Sequence, residues 1–129
     1  MAIFLLDTNI IIDVLKGRKG HDRLLGDLIN EGHVLACCPV NIAEIYAGMR
    51  PGEETLTSAF LKSLKLLDFT FASAELAGTL KGAYSLKGRV LSLADSMIAA
   101  VAICSGATLV TENVKDFPMA ELSLYPVRG

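Results

Sequence analysis

The chain has 129 residues, 52% of them hydrophobic and 20% charged, with four prolines. That length and balance fit one globular domain able to bury roughly two thirds of its unfolded surface, and they exclude long disordered segments. A net charge of −2 excludes a general attraction to nucleic acid, so any such partner must meet a local basic patch.

Residues 2–6, Ala-Ile-Phe-Leu-Leu, form a short continuous apolar run ending at Asp7-Thr8-Asn9, as a buried parallel strand does. The run has no basic segment before it and meets an acid at once, which argues against an export signal. Residues 10–16 then predict a helix closed by Gly17, and residues 21–30 another with Leu24, Leu25, Leu28 and Ile29 on one face. Residues 33–38 predict a second strand. Pro39 suits the first turn of the helix that follows, through Ile42, Ile45 and Tyr46 to Gly48.

Residues 51–66 predict a longer amphipathic helix and 65–69 a weaker strand. Residues 73–87 read as helix despite Gly78 and Gly82. Residues 93–105 predict a helix ended by Gly106, 107–110 a strand, and 122–125 a last short one. The most apolar stretch, 97–104, is too short to cross a bilayer, and a cytoplasmic protein is expected. Cys37, Cys38 and Cys104 are an odd set without a C-x-x-C, which predicts reduced thiols packed as small hydrophobes. Strands alternating with helices imply an α/β fold, a parallel sheet covered on both faces, with its site beyond the carboxyl ends of the strands.

That rule draws attention to a few acids. Asp7 lies where the first strand becomes a helix, Asp95 in the first turn of the 93–105 helix, and Asn113 and Asp116 just after the 107–110 strand. Glu44 sits one turn into the helix after the second strand. Each also has a plain structural reading. Asp7 or Thr8 would cap the first helix, and Ser92-Leu-Ala-Asp95 resembles a capping box. Asn113-Val-Lys-Asp116 would be the same device on a short turn, and Glu44 an ordinary surface glutamate.

As a set they say more. Like charges ~5 Å apart at an effective dielectric of about 20 oppose each other by about 3 kcal/mol per pair. A hard divalent cation would relieve that repulsion, and oxygen ligands without His or Cys favour Mg²⁺ or Mn²⁺ over zinc. His21 and His33 lie far from these positions in sequence and are expected on the surface.

Four blocks, Leu6-Asp-Thr-Asn9, Glu44 after Pro39-Val-Asn-Ile-Ala43, Leu93-Ala-Asp-Ser-Met-Ile-Ala99 and Thr111-Glu-Asn-Val-Lys-Asp-Phe117, resemble the PIN-domain pattern. The likeness is to the VapC-type toxins of toxin–antitoxin pairs, and it spans nearly the whole chain. The resemblance implies a single PIN-like domain over 1–129, with a parallel sheet of four or five strands between helices. It also implies Mg²⁺- or Mn²⁺-dependent endoribonuclease activity, leaving a 5′-phosphate and a 3′-hydroxyl. Carried over by position, Asp7, Glu44 and Asp95 would be the main metal-binding acids. Asp116 is ranked as the fourth, since Asn113 brings no negative charge and serves as a polar helper. Thr8, Asn9 and Thr111 match small polar positions that orient the acids.

Lys16, Arg18, Arg89 and Lys115 lie near the expected carboxyl edge and are the candidates for RNA phosphate contacts. The resemblance further implies a cognate antitoxin and a homodimer, for which the apolar helices between Ile42 and Leu67 would supply a face. Transfer RNA and ribosomal RNA both fit as substrates. Two other classes compete. One is a catalytically weak PIN-like binding module acting through its antitoxin or its oligomer. The other is a phosphotransferase with Asp7 as nucleophile, which would want an Asp where this chain has Asn9.

Overall fold

The computed structural model describes residues 1–128. In chain order the elements are β1 (Ile3–Leu6), α1 (Thr8–Leu15), α2 (His21–Asn30), β2 (Val34–Cys37), α3 (Pro39–Ala47) and α4 (Glu54–Ser63). Then come β3 (Lys65–Leu66), α5 (Phe71–Leu86), α6 (Leu93–Ser105), β4 (Thr108–Thr111), a 3-10 turn (Val114–Asp116) and β5 (Ser123–Pro126). The strands form one sheet in the order β3-β2-β1-β4-β5, every neighbour parallel. This is the α/β architecture expected from the strand–helix alternation.

The strands read as apolar throughout because both faces of the sheet are covered. Successive side chains alternate between two cores. Leu5, Ala36 and Leu109 join Leu80 of α5 and Ile98 and Val101 of α6 on one face. Phe4, Leu6 and Val110 join Ile10, Leu25 and Ile45, from α1, α2 and α3, on the other. That is the period of two of an extended chain, set in register by Leu5 opposite Ala36 and Leu109. Helix α6 is buried nearly all round: Ile98, Ala99, Ala100, Val101 and Ala102 are fully enclosed. It ends at Gly106, which takes the left-handed conformation (φ +65°) that other residues adopt only under strain.

Several boundaries differ from the sequence expectation. The helix expected over 51–66 is the shorter α4. Gly52 takes φ +91° in a turn at its start, and Leu64 becomes extended (ψ 154°) to enter β3. Helix α5 starts earlier than expected because the Thr70 hydroxyl caps it, accepting from the Ser73 N–H at 3.1 Å. Cys37 and Cys38 are buried thiols as expected, but Cys104 is exposed, two turns beyond the partly exposed Met97 on the open flank of α6. Among the described residues no helix is long and apolar enough to cross a membrane.

Strands β2 and β3 lie on one side of β1, and β4 and β5 on the other, so the winding reverses between β1 and β4. In open sheets of this kind that crevice is where ligands bind. Asp7 stands at its lip, its N–H donating to the Val110 carbonyl at 2.9 Å.

Candidate active site

Asp7 is the N-cap of α1 and only 6% exposed. Its Oδ1 accepts from the Thr8 N–H at 2.8 Å, and its Oδ2 from the Thr111 hydroxyl at 2.7 Å. Helix α1 therefore begins at Thr8 rather than Ile10, because the aspartate at the strand end satisfies one of the free N–H groups of its first turn. Capping and site-building are one arrangement here.

Glu44 reaches the same place from α3, its Oε1 accepting from the Thr8 hydroxyl at 2.7 Å. Its residue is exposed, so the carboxylate is tethered at one oxygen and open to solvent. Asp95 enters from the first turn of α6, half-buried, with its N–H donated to the Ser92 Oγ at 3.0 Å. Asp116 lies exposed at the end of the 3-10 turn. Asn113 forms no side-chain cap for that turn. Its contribution is a backbone N–H given to Thr111 Oγ1 at 2.9 Å.

Asp7 and Asp95 both feel neighbouring acids. Burial raises the Asp7 carboxyl above its ordinary range; the Thr111 and Thr8 hydrogen bonds oppose that, and the charges of Asp95 and Glu44 raise it further. Asp95 is raised first by burial, with Ser92 opposing, then by Asp116 and Glu44. Asp95 is thus the acid whose charge is felt alongside all the others. Among the described residues no Lys, Arg or His forms an ion pair with any of the four.

Two residues absent from the sequence reading complete the polar frame. Asn41, fully buried in the first turn of α3, donates from Nδ2 to Thr8 Oγ1 at 2.9 Å and accepts from the Cys38 N–H at 2.9 Å. Glu112, next to Thr111, accepts from Lys19 Nζ at 2.9 Å and pairs closely with His21 Nε2. Asp13 joins them, 3.6 Å from Lys19 Nζ and 3.8 Å from His21 Nε2.

This corrects the expectation for both histidines. His21 is buried against two carboxylates, and the half-buried His33 packs edge-on against Phe4 while its Nδ1 accepts from the Ala2 N–H. Asp13, His21 and Glu112 have donor atoms all within 4.8 Å of one another, which no three of the four acids achieve. Lys19 already supplies that trio with a cation. The four acids are the more open, uncompensated set, and their all-oxygen chemistry fits a hard ion that keeps some of its water.

The remaining candidates divide. Asn9 is exposed and takes no part in the frame that Thr8 and Thr111 build. Lys16 lines an apolar groove beside Glu44 with Ile12, Leu15, Ile45 and Met49. Arg18 and Lys115 are exposed. Arg89 is exposed too, and its Nη2 donates to the Lys115 carbonyl, tying the loop before α6 to the turn that carries Asp116. Tyr84 holds the far side of that turn, donating to the Pro118 carbonyl at 3.0 Å.

Comparison with known proteins identifies the family and agrees with the fold. The PIN domain model matches residues 4–119. The chain is 36% identical over 115 residues to Ribonuclease VapC19 of Mycobacterium tuberculosis, covering 89% of this chain and 92% of the relative. It is 28% identical over 122 residues to the tRNA(fMet)-specific endonuclease VapC of Shigella flexneri, 91% of each. Among solved structures it is similar to VapBC2 from Rickettsia felis bound to a fragment of its promoter DNA, with a TM-score of 0.83 and 29% identity. That match covers 97% of this chain and 98% of the other.

Proposed function

Because the chain belongs to the PIN-domain family of VapC-type ribonucleases, we propose that it is the toxin of a type II toxin–antitoxin pair, a Mg²⁺- or Mn²⁺-dependent endoribonuclease. One observation supports the reading: beside the sheet's switch point, Asp7 feels the charges of Asp95 and Glu44, and Asp95 those of Asp116 and Glu44, with no basic side chain among the described residues paired to any of the four. Asp7, Glu44, Asp95 and Asp116 would hold the ion. When bound, it supplies Lewis acidity, lowering the pKa of a water and offsetting charge on the phosphate oxygens.

The chain's own residues do the rest. The threonine hydroxyls fix one oxygen each of Asp7 and Glu44. Asp95 and Asp116 would complete the set. Lys16, Arg18 and Lys115 supply the local positive charge that RNA requires of a chain with net charge −2. The Shigella relative's name points to transfer RNA as the substrate class to try first. The partner would be a cognate antitoxin, and the apolar groove beside Glu44 is where a segment of it would fit. Residues 1–129 act as one domain, in the cytoplasm and as a homodimer. Exposed Tyr46 on α3 and Leu66 on β3 lie within residues 42–67, the stretch expected to form the dimer face.

The test is cleavage of end-labelled total RNA by antitoxin-free protein with Mg²⁺ or Mn²⁺, with EDTA, and by Asp7→Asn and Asp95→Asn. Metal-dependent cutting should fall by about 100-fold or more in either variant, beyond the 10–100-fold typical of losing a supporting contact. Cutting that survives EDTA or both substitutions sinks the proposal. Intact RNA throughout favours the binding module.

A further inference from the structure

We propose that Asn41 is a positioning residue: by donating to the Thr8 hydroxyl it leaves that hydroxyl's single proton to Glu44 and so holds Glu44 Oε1 as an acceptor beside Asp7. The inference rests on the reading of Glu44 as a metal-binding acid, but its geometric part does not.

The argument is one of donors and acceptors. The Cys38 N–H can only donate, so the Asn41 atom 2.9 Å from it is the carbonyl oxygen Oδ1. That fixes the amide: the NH₂ group must face the other way, toward Thr8 Oγ1 at 2.9 Å. An amide NH₂ can only donate, so the Thr8 hydroxyl accepts there. A hydroxyl has a single proton, and Thr8 is buried, so little water competes for it. The proton goes to Glu44 Oε1 at 2.7 Å. Each link leaves the next no alternative, and the chain runs one way from the Cys38 backbone to the glutamate.

The same device appears on the other acid. The Asn113 N–H donates to Thr111 Oγ1 at 2.9 Å, and the Thr111 proton goes to Asp7 Oδ2 at 2.7 Å. There the donor is a backbone N–H that only a proline would remove. At Asn41 the donor is a side chain, and that makes it testable.

Asn41→Asp keeps an acceptor for the Cys38 N–H but removes the donor, so the Thr8 proton should turn toward position 41 and leave Glu44 unheld. Asn41→Leu removes both functions at similar volume, and Thr8→Val removes the hydroxyl while leaving the Asn41–Cys38 bond. NMR of the buried Thr8 hydroxyl proton in metal-free protein reads the direction itself. Its cross-relaxation should be to the Glu44 side chain in the wild type and to position 41 in Asn41→Asp.

Titration with Mn²⁺ alone, followed by calorimetry, should show binding weakened about 10–100-fold by Asn41→Leu and by Thr8→Val, with little further loss when the two are combined. An unchanged hydroxyl contact in Asn41→Asp, additive losses in the double variant, or Mn²⁺ affinity within two-fold of wild type in a folded Asn41→Leu would each overturn the proposal. Should Asn41→Asp fail to fold, the hydroxyl contact in wild type and the Leu and Val variants still decide. If wild type binds no Mn²⁺, or Glu44→Gln binds it equally, the metal reading fails instead, and the hydroxyl contact alone rules on Asn41.

Discussion

Two carboxylate groups sit side by side at the carboxyl edge of this sheet, and they solve opposite problems. Thr111 and Glu112 are neighbours in sequence, yet the first serves Asp7 and the second pairs with His21 and Lys19. In the Asp13–His21–Glu112 group a lysine ammonium and an imidazole lie against the acids, and the Glu112 carboxyl is held below its ordinary range, chiefly by His21 and then by Lys19. In the Asp7–Glu44–Asp95–Asp116 group no cation is built in, and Asp7 and Asp95 are raised. The tighter cluster is the compensated one, and the looser, uncompensated cluster is the candidate for chemistry. Donor spacing alone would pick the compensated one.

The largest way to sharpen the contrast is to remove one member of the compensated set. His21→Ala leaves the buried Asp13 and Glu112 without the imidazole and should cost about 1–3 kcal/mol of stability in urea unfolding. Metal-dependent cleavage by the folded fraction should stay within about ten-fold of wild type, whereas Asp7→Asn nearly abolishes it. Equal loss of activity in both would erase the distinction.

The second contrast is in pH dependence of stability in EDTA. Asp7 and Asp95 are raised above 3.8, so the folded state binds the extra protons. Their stabilising contribution is full below 3.8 and is lost as pH rises through the raised values. Glu112 is lowered from 4.5, so its contribution is present above 4.5 and is lost as pH falls through the lowered value. Melting curves should show Asp7→Asn flattening the decline toward neutral pH and Glu112→Gln flattening the acid-side decline. Identical profiles for the two variants would show that they share one environment.

The smallest effect inverts the comparison. Lys19→Met takes away the built-in cation and leaves one imidazole and two carboxylates with donor atoms within 4.8 Å. Zn²⁺ should then raise the melting temperature of this variant by a few degrees more than that of wild type. No difference would mean that Lys19 is not what keeps an ion out.

The two groups also differ in how far the sequence announces them. Asp7 was legible because a continuous apolar run stops at it, and Asp95 because it opens the most apolar helix of the chain; both signals are local. Thr111 was visible for the same reason, at the end of β4. The Glu112 partners are not local: His21 lies 91 residues away and Lys19 93, and no spacing rule links them. His21 reads as a surface residue because it lies far from the acidic positions in sequence, yet its ring is buried against Glu112 and Asp13. Asn41 was hidden differently. Its partner Cys38 is not one of the residues that usually mark a helix start, so the reciprocal bond to the Cys38 N–H carried no sequence mark. Asn9 misled in the opposite sense, lying inside the Leu6-Asp-Thr-Asn9 block while its side chain faces solvent.

The hydrogen bond between Asp7 and Thr111 spans 104 residues. A nascent chain thus carries Asp7 and Glu44 long before it has β4 and the hydroxyl that orients the aspartate. Contacts of such long range form late, and the stretch that completes the crevice is among the last to be made. The polar frame around Asp7 is therefore a property of the finished chain, closed by a residue placed 104 positions after the acid it holds.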